Sequence, residues 1–227
     1  MRLNKFIAET GMCSRREADK WIEAGRVTVA GVLATLGTQV QSGDEVRVDG
    51  TLVGARRQRI YLALNKPVGI VSTTEAHIED NIVAHIGHAE RIFPIGRLDK
   101  DSEGLILLTN DGDIVNEILR AENHHEKEYL VTVERHITDL ALSMLAGGVK
   151  IMGEVTLPAR VQRTGRSSFR IVLTQGLNRQ IRRMCSALGY RVQRLQRVRI
   201  MNVQLGALKP GEWRPLTEQE LGGLLPE

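Results

Sequence analysis

Directly before an apolar run, Leu105-Ile106-Leu107-Leu108, the chain reads Pro94-Ile95-Gly96-Arg97-Leu98-Asp99-Lys100-Asp101-Ser102-Glu103-Gly104. A loop rooted on a rigid buried strand holds polar side chains at the mouth of a cleft, where a carboxylate can attack as a nucleophile or manage protons. A calcium loop is the competing reading, because Asp99, Asp101, Glu103 and Gly104 fall at its positions 1, 3, 5 and 6. Positions 9 and 12 are Leu107 and Asn110, so the bidentate carboxylate is missing and no calcium is expected. His124-His125-Glu126 offers adjacent histidines with no further ligand at helical spacing, so no metal site is expected there either. There is no GxSxG elbow, P-loop or GxGxxG fingerprint, and no cofactor is implied.

A second concentration, Gln175-Gly176-Leu177-Asn178-Arg179-Gln180-Ile181-Arg182-Arg183-Met184-Cys185, turns from a strand into a helix. On a helix Arg179, Arg182 and Arg183 share a side at i, i+3 and i+4. They can contact phosphates, or one can turn inward and hold a carboxylate ionised and oriented. Spacing leaves both open.

The elements that must position these residues read as a mixed set. Strands are expected at residues 60–64 and 68–73, separated by Asn65-Lys66-Pro67, and at 105–109, 129–134, 169–174 and 191–195. Helices are expected at 114–121, 138–146 and 178–188. Without a regular βαβ alternation this is an α+β domain spanning 60–227, with a mixed, largely antiparallel sheet. Residues 51–59 carry Arg56-Arg57 and Arg59 without an apolar period and read as a linker. Residues 1–50 read as a small α/β module: Leu3, Phe6 and Ile7 form one helical stripe, Ser14 and Glu17 a capping box opening a second, and short strands follow around 27–29 and 46–48. Arg2, Lys5, Arg15, Arg16, Lys20 and Arg26 all belong to this module.

Charge is unevenly spread over the 227 residues. The chain is 42% hydrophobic and 26% charged, an ordinary globular balance, and no apolar run approaches the roughly 20 residues of a membrane span. No signal-peptide core follows Met1 to Lys5, so a cytoplasmic protein without membrane contact is expected. Residues 161–215 hold 12 basic groups against the single acid Glu212. Such a concentration suits a polyanion partner, since each neutralised phosphate releases counterions. The two cysteines, Cys13 and Cys185, build neither a disulfide framework nor a thiolate zinc site and read as reduced packing residues.

Two resemblances connect these observations. Arg2-Leu3, Cys13-Ser14-Arg15-Arg16, Ala18, Ile22, Gly25-Arg26-Val27 and Gly31 resemble, over roughly 45 residues, the RNA-binding module named after ribosomal protein S-four. This resemblance implies a helix pair whose basic face docks on phosphates of structured RNA. Gly96-Arg97-Leu98-Asp99 with Gly104-Leu105, Lys127-Glu128-Tyr129, and Gly176 with Gln180-Ile181-Arg182-Arg183-Met184 resemble the ordered motifs of pseudouridine synthases. Together they resemble the RsuA/RluB/RluE/RluF branch that modifies bacterial ribosomal RNA. Within it, Lys100-Asp101-Ser102, His125-Glu126-Lys127-Glu128-Tyr129 and Gln175-Gly176-Leu177-Asn178-Arg179 are most similar to members acting on the large subunit.

What the second resemblance implies is a catalytic Asp99, a Tyr129 that stacks on uracil and presents its hydroxyl, and an Arg182 that pairs with Asp99. Arg97, Arg179 and Arg183 join the six basic residues of the module as RNA contacts. The target base is flipped out of its stack, at a cost of about a few kcal/mol. The implied partner is a structured ribosomal RNA stem-loop, with transfer RNA a further candidate, and the expected state is a monomer. Some relatives carry a long basic C-terminal tail, whereas this sequence ends at Leu224-Leu225-Pro226-Glu227, which puts tail-dependent targeting in doubt. A non-catalytic RNA-binding protein would fit the basic segment equally, but a carboxylate among arginines weakens a phosphate site. A hydrolase of small nucleosides would leave the basic module unexplained.

Overall fold

The computed structural model describes residues 1–54, 58–119 and 125–224, apart from the side chains of Asn116, Glu117 and Leu119. Arg56-Arg57 of the expected linker and His124 lie outside the described residues. The chain divides into two compact units, one made of Met1–Ile60 with Ala89–Arg91 and Asn110–Gly112, the other of the remainder.

The first unit runs α1 (Leu3–Glu9), α2 (Arg15–Glu23), β1 (Val27–Val29), β2 (Val32–Leu33), β3 (Val46–Val48) and β4 (Thr51–Leu52), its strands ordered β2-β1-β3-β4. The Ser14 hydroxyl caps α2 by accepting from the Glu17 N–H at 3.1 Å. Ala18 and Ile22 then face inward beside Leu3, Ile7, Val27, Val46 and Val48. β4 and the buried Val53 extend this unit past residue 50, and with the unit reaching Ile60 the described residues of the expected linker belong to it. The cause is a tight turn at Asp49 and Gly50, both at positive φ, which folds Thr51 back onto Val48.

The second unit contains β5 (Tyr61–Lys66), α3 (Ile82–Ile86), β6 (Phe93–Ile95), β7 (Glu103–Thr109), α4 (Gly112–Leu119) and β8 (Lys127–Val133). There follow α5 (Asp139–Gly147), β9 (Lys150–Ile151), β10 (Glu154–Val155), β11 (Arg160–Gly165) and β12 (Ser168–Leu173). The unit closes with α6 (Gln180–Ala187), β13 (Val192–Ile200), β14 (Val203–Gln204), β15 (Trp213–Pro215) and α7 (Glu218–Leu224). The large sheet is ordered β11-β12-β8-β13-β7-β5-β15, with β14 on β13 and β6 on β7. All its described pairings are antiparallel except β7 with β13, so the α+β expectation holds. Leu105 to Leu108 of β7 are completely buried, each contributing about 1.5–3 kcal/mol of hydrophobic stabilisation.

Two expected elements are corrected. Residues 68–73 form no strand but a turn followed by an isolated bridge of Val71 to Asn81. Pro67 breaks the pairing, and the Lys66 ammonium binds the Pro67 and Ile70 carbonyls at 2.9 and 2.8 Å, curling the chain around itself. The helix expected at 178–188 begins only at Gln180, because Arg179 takes the left-handed conformation (φ 51°) at its N-cap.

Candidate active site

Gly104 roots the Asp99 loop on the sheet. It sits at φ 104° opposite Arg197 of β13, and a Cβ there would meet the Arg197 carbonyl oxygen and stand 2.7 Å from its nitrogen. Only glycine allows the two parallel strands to approach so closely while the loop turns out of the sheet. Along one register line Tyr129, Arg197, Gly104 and Lys66 follow one another across β8, β13, β7 and β5. Directly paired residues project to one face, so this row sets an aromatic ring and two cations on the face of the sheet below the loop.

Among the described residues, the guanidinium that reaches the Asp99 carboxylate is that of Arg179, at 3.4 Å. Arg179 also grips Asp101 with two parallel hydrogen bonds of 3.0 Å, which hold the Asp101 carboxyl below the usual carboxylate range. The left-handed turn at its backbone swings Arg179 away from its helical neighbours toward this loop. Arg182 does turn inward, but not onto Asp99. It donates to the Asp101 carbonyl at 2.8 Å, to Ser102 Oγ at 3.2 Å and to the Val192 carbonyl at 3.3 Å, with its Nε 3.4 Å from the Asp101 carboxylate. The implied pairing of Arg182 with Asp99 is therefore corrected: Arg182 anchors the loop two residues further on, and Arg179 supplies the charge at Asp99. Arg183 turns back to Asn178, and Arg97 is exposed with no ion pair among the described residues.

Below the loop, burial pushes the Lys66 ammonium down to about 8, although Asp101 and Asp99 pull it upward. Arg197 is also buried, donates Nε to the Leu105 carbonyl at 2.7 Å, and keeps Nη2 without a hydrogen-bond partner among the described residues. Neither residue stood out in the sequence. The available signal was a lysine closing an otherwise buried apolar strand, and an arginine in the middle of another. Tyr129 is half-buried against Phe169, Ile171 and their neighbours, its ring backed by a firm wall.

In the first unit Arg2, Arg15, Arg16 and Lys20 are exposed, and Lys5 lies 3.7 Å from Glu9. Arg26 is committed elsewhere: it forms a two-pronged pair with Asp49 and lies 5.1 Å from the Trp21 ring centre. Both cysteines are buried, which pushes Cys13 up to about 11 and Cys185 up to about 12 and leaves inert thiols. No group of three or more His, Cys, Asp or Glu among the described residues is placed to hold a metal ion, and no helix there is long and apolar enough to cross a membrane.

The mixed sheet thus carries a carboxylate loop, two arginines that organise it, and a tyrosine on the register line that passes through Gly104 at the root of the loop. The RNA pseudouridylate synthase family model matches residues 60–187, and the S4 domain matches residues 1–46. The dual-specificity RNA pseudouridine synthase RluF of Escherichia coli (strain K12) is 57% identical over 223 residues, covering 97% of this chain and 77% of that protein. The ribosomal large subunit pseudouridine synthase B of Bacillus subtilis (strain 168) is 34% identical, covering 97% and 93%. A crystal structure of a pseudouridylate synthase superposes with a TM-score of 0.73 at 32% identity, covering 99% of this chain and all of that one. The chain belongs to the RNA pseudouridine synthase family, and is an RNA pseudouridine synthase of the RsuA/RluF branch.

Proposed function

We propose that the protein isomerises specific uridines of large-subunit ribosomal RNA, with Asp99 as the carboxylate that acts at the sugar. The observation that carries this reading is the arrangement of Asp99 itself, an accessible carboxylate beside the Arg179 guanidinium on a loop rooted at Gly104. Isomerisation breaks the bond from N1 to C1′ of the uridine, turns the uracil, and joins C5 to C1′. C5 gives up a proton and N1 gains one, so atoms balance without a cofactor. Attack on C1′ and stabilisation of a cationic sugar are both tasks for a carboxylate, and the Arg179 guanidinium 3.4 Å away helps to orient this one.

Tyr129 stacks on the flipped uracil and presents its hydroxyl toward the reacting carbon. Arg182 keeps the loop in place from Asp101 and Ser102, and Arg97 takes the space left by the flipped base or a backbone phosphate. Arg2, Lys5, Arg15, Arg16 and Lys20, with Arg183 at the rim, contact the phosphates of a structured stem-loop, whereas Arg179 is held by Asp99 and Asp101. The protein works as a cytoplasmic monomer. Incubation of the pure protein with unmodified ribosomal RNA and with transfer RNA, followed by mapping of pseudouridine, tests the substrate. Pseudouridine at discrete large-subunit positions is expected; its absence there overturns the assignment.

A further inference from the structure

Asp99 is tied down on both sides by one short segment. Ser72 Oγ donates to the Leu98 carbonyl at 2.9 Å and accepts from the Leu98 N–H at 3.1 Å. On the other side, the Gly69 N–H donates to the Lys100 carbonyl at 2.8 Å. The segment that supplies both contacts is itself fastened. Lys66 Nζ binds the Pro67 and Ile70 carbonyls, Val71 donates its N–H to the Asp80 carbonyl, and Ile82 donates to the Val71 carbonyl at 2.9 Å. Ser72 is only 5% exposed.

A hydroxyl donates and accepts at once through a single oxygen. Here it satisfies both backbone atoms of the residue before Asp99, in a buried place where leaving either atom unpaired is destabilising. We infer that Ser72 is a positioning residue for Asp99, its hydroxyl fixing the backbone from which the carboxylate reaches the sugar. This rests on the reading of Asp99 given above. Without the hydroxyl the loop keeps Arg179, Arg182 and Gly69 but loses its hold at Leu98. A displacement of the carboxylate near 1 Å costs about 100-fold in rate. The buried hydroxyl is not itself a contact for RNA, so affinity stays put.

The test is single-turnover kinetics at saturating RNA, with binding measured separately, for Ser72→Ala, Ser72→Thr and Asp99→Asn. Ser72→Ala is expected to slow the bound complex by about 10- to 100-fold at unchanged Kd, while Ser72→Thr, which keeps a hydroxyl, stays within about threefold of wild type. A Ser72→Ala enzyme that reacts at the wild-type rate overturns the inference, as does a Ser72→Thr enzyme as slow as Ser72→Ala, or a loss confined to Kd. Asp99→Asn separates the two claims. If it still turns over, the role of Asp99 fails; if it is inactive while Ser72→Ala is fast, only the role of Ser72 fails.

Discussion

The arginines at the start of α2 and those around the start of α6 share their charge but have opposite surroundings. Arg15 and Arg16 stand exposed and make no ion pair among the described residues, whereas Arg179 and Arg182 spend their guanidinium groups on the Asp99 loop. A cation left to solvent keeps its full attraction for a phosphate and forfeits little on binding. A cation already paired with carboxylates offers less to a polyanion but fixes the geometry of the acids it holds. Basic composition therefore marks two separate devices, one for grip and one for alignment.

The comparison breaks most visibly at Arg182. Arg182→Ala removes three loop contacts at once, and single-turnover rate is expected to fall by about 100-fold with little change in RNA affinity. A salt-dependent loss of affinity with normal turnover at saturation would move Arg182 into the gripping set. Next in size is the effect of pH through Lys66, which is lowered from 10.5 to about 8. Between those values the unfolded chain binds more protons than the folded one, so the contribution of Lys66 to stability rises with pH in that window. Activity should run the other way, because the charge beneath the loop disappears. A rate that declines above about pH 8 without a matching loss of melting temperature is expected, and a flat profile from pH 8 to 10 separates Lys66 from the site.

Arg15→Ala and Arg16→Ala should each weaken RNA binding by only about 3- to 10-fold, lower the salt slope by about one, and leave the bound complex reacting normally. An unchanged slope would place these residues away from RNA. The smallest effect is expected at Arg26, already committed to Asp49 and Trp21: Arg26→Ala should change affinity by less than about twofold. A drop as large as that of Arg16→Ala would show that the pair with Asp49 opens on binding.

These contrasts mark how far the sequence could be read. The Asp99 loop was legible because carboxylates and glycines precede a wholly apolar strand, a pattern that burial seldom tolerates without purpose. The module was legible from its cap at Ser14 and its stripe of Leu3, Ile7, Ala18 and Ile22. The choice between Arg179 and Arg182 was hidden, since helical spacing assumed that Arg179 lies within the helix, and its left-handed backbone removes it. Residues 68–73 suit a strand by their apolar pattern, yet the stretch forms a turn. What bends it is an ammonium bound to its own chain's carbonyls and a hydroxyl bonded to Leu98, 26 residues away. Contacts of that separation leave no trace in local pattern.

The central claim is that Asp99 does chemistry and does not grip RNA. It is tested most directly by Asp99→Asn, assayed for pseudouridine under single-turnover conditions beside a measurement of Kd for the same RNA. The expected result is a loss of at least about 1,000-fold in rate with affinity within about twofold of wild type. Substantial turnover by the Asn variant would contradict it.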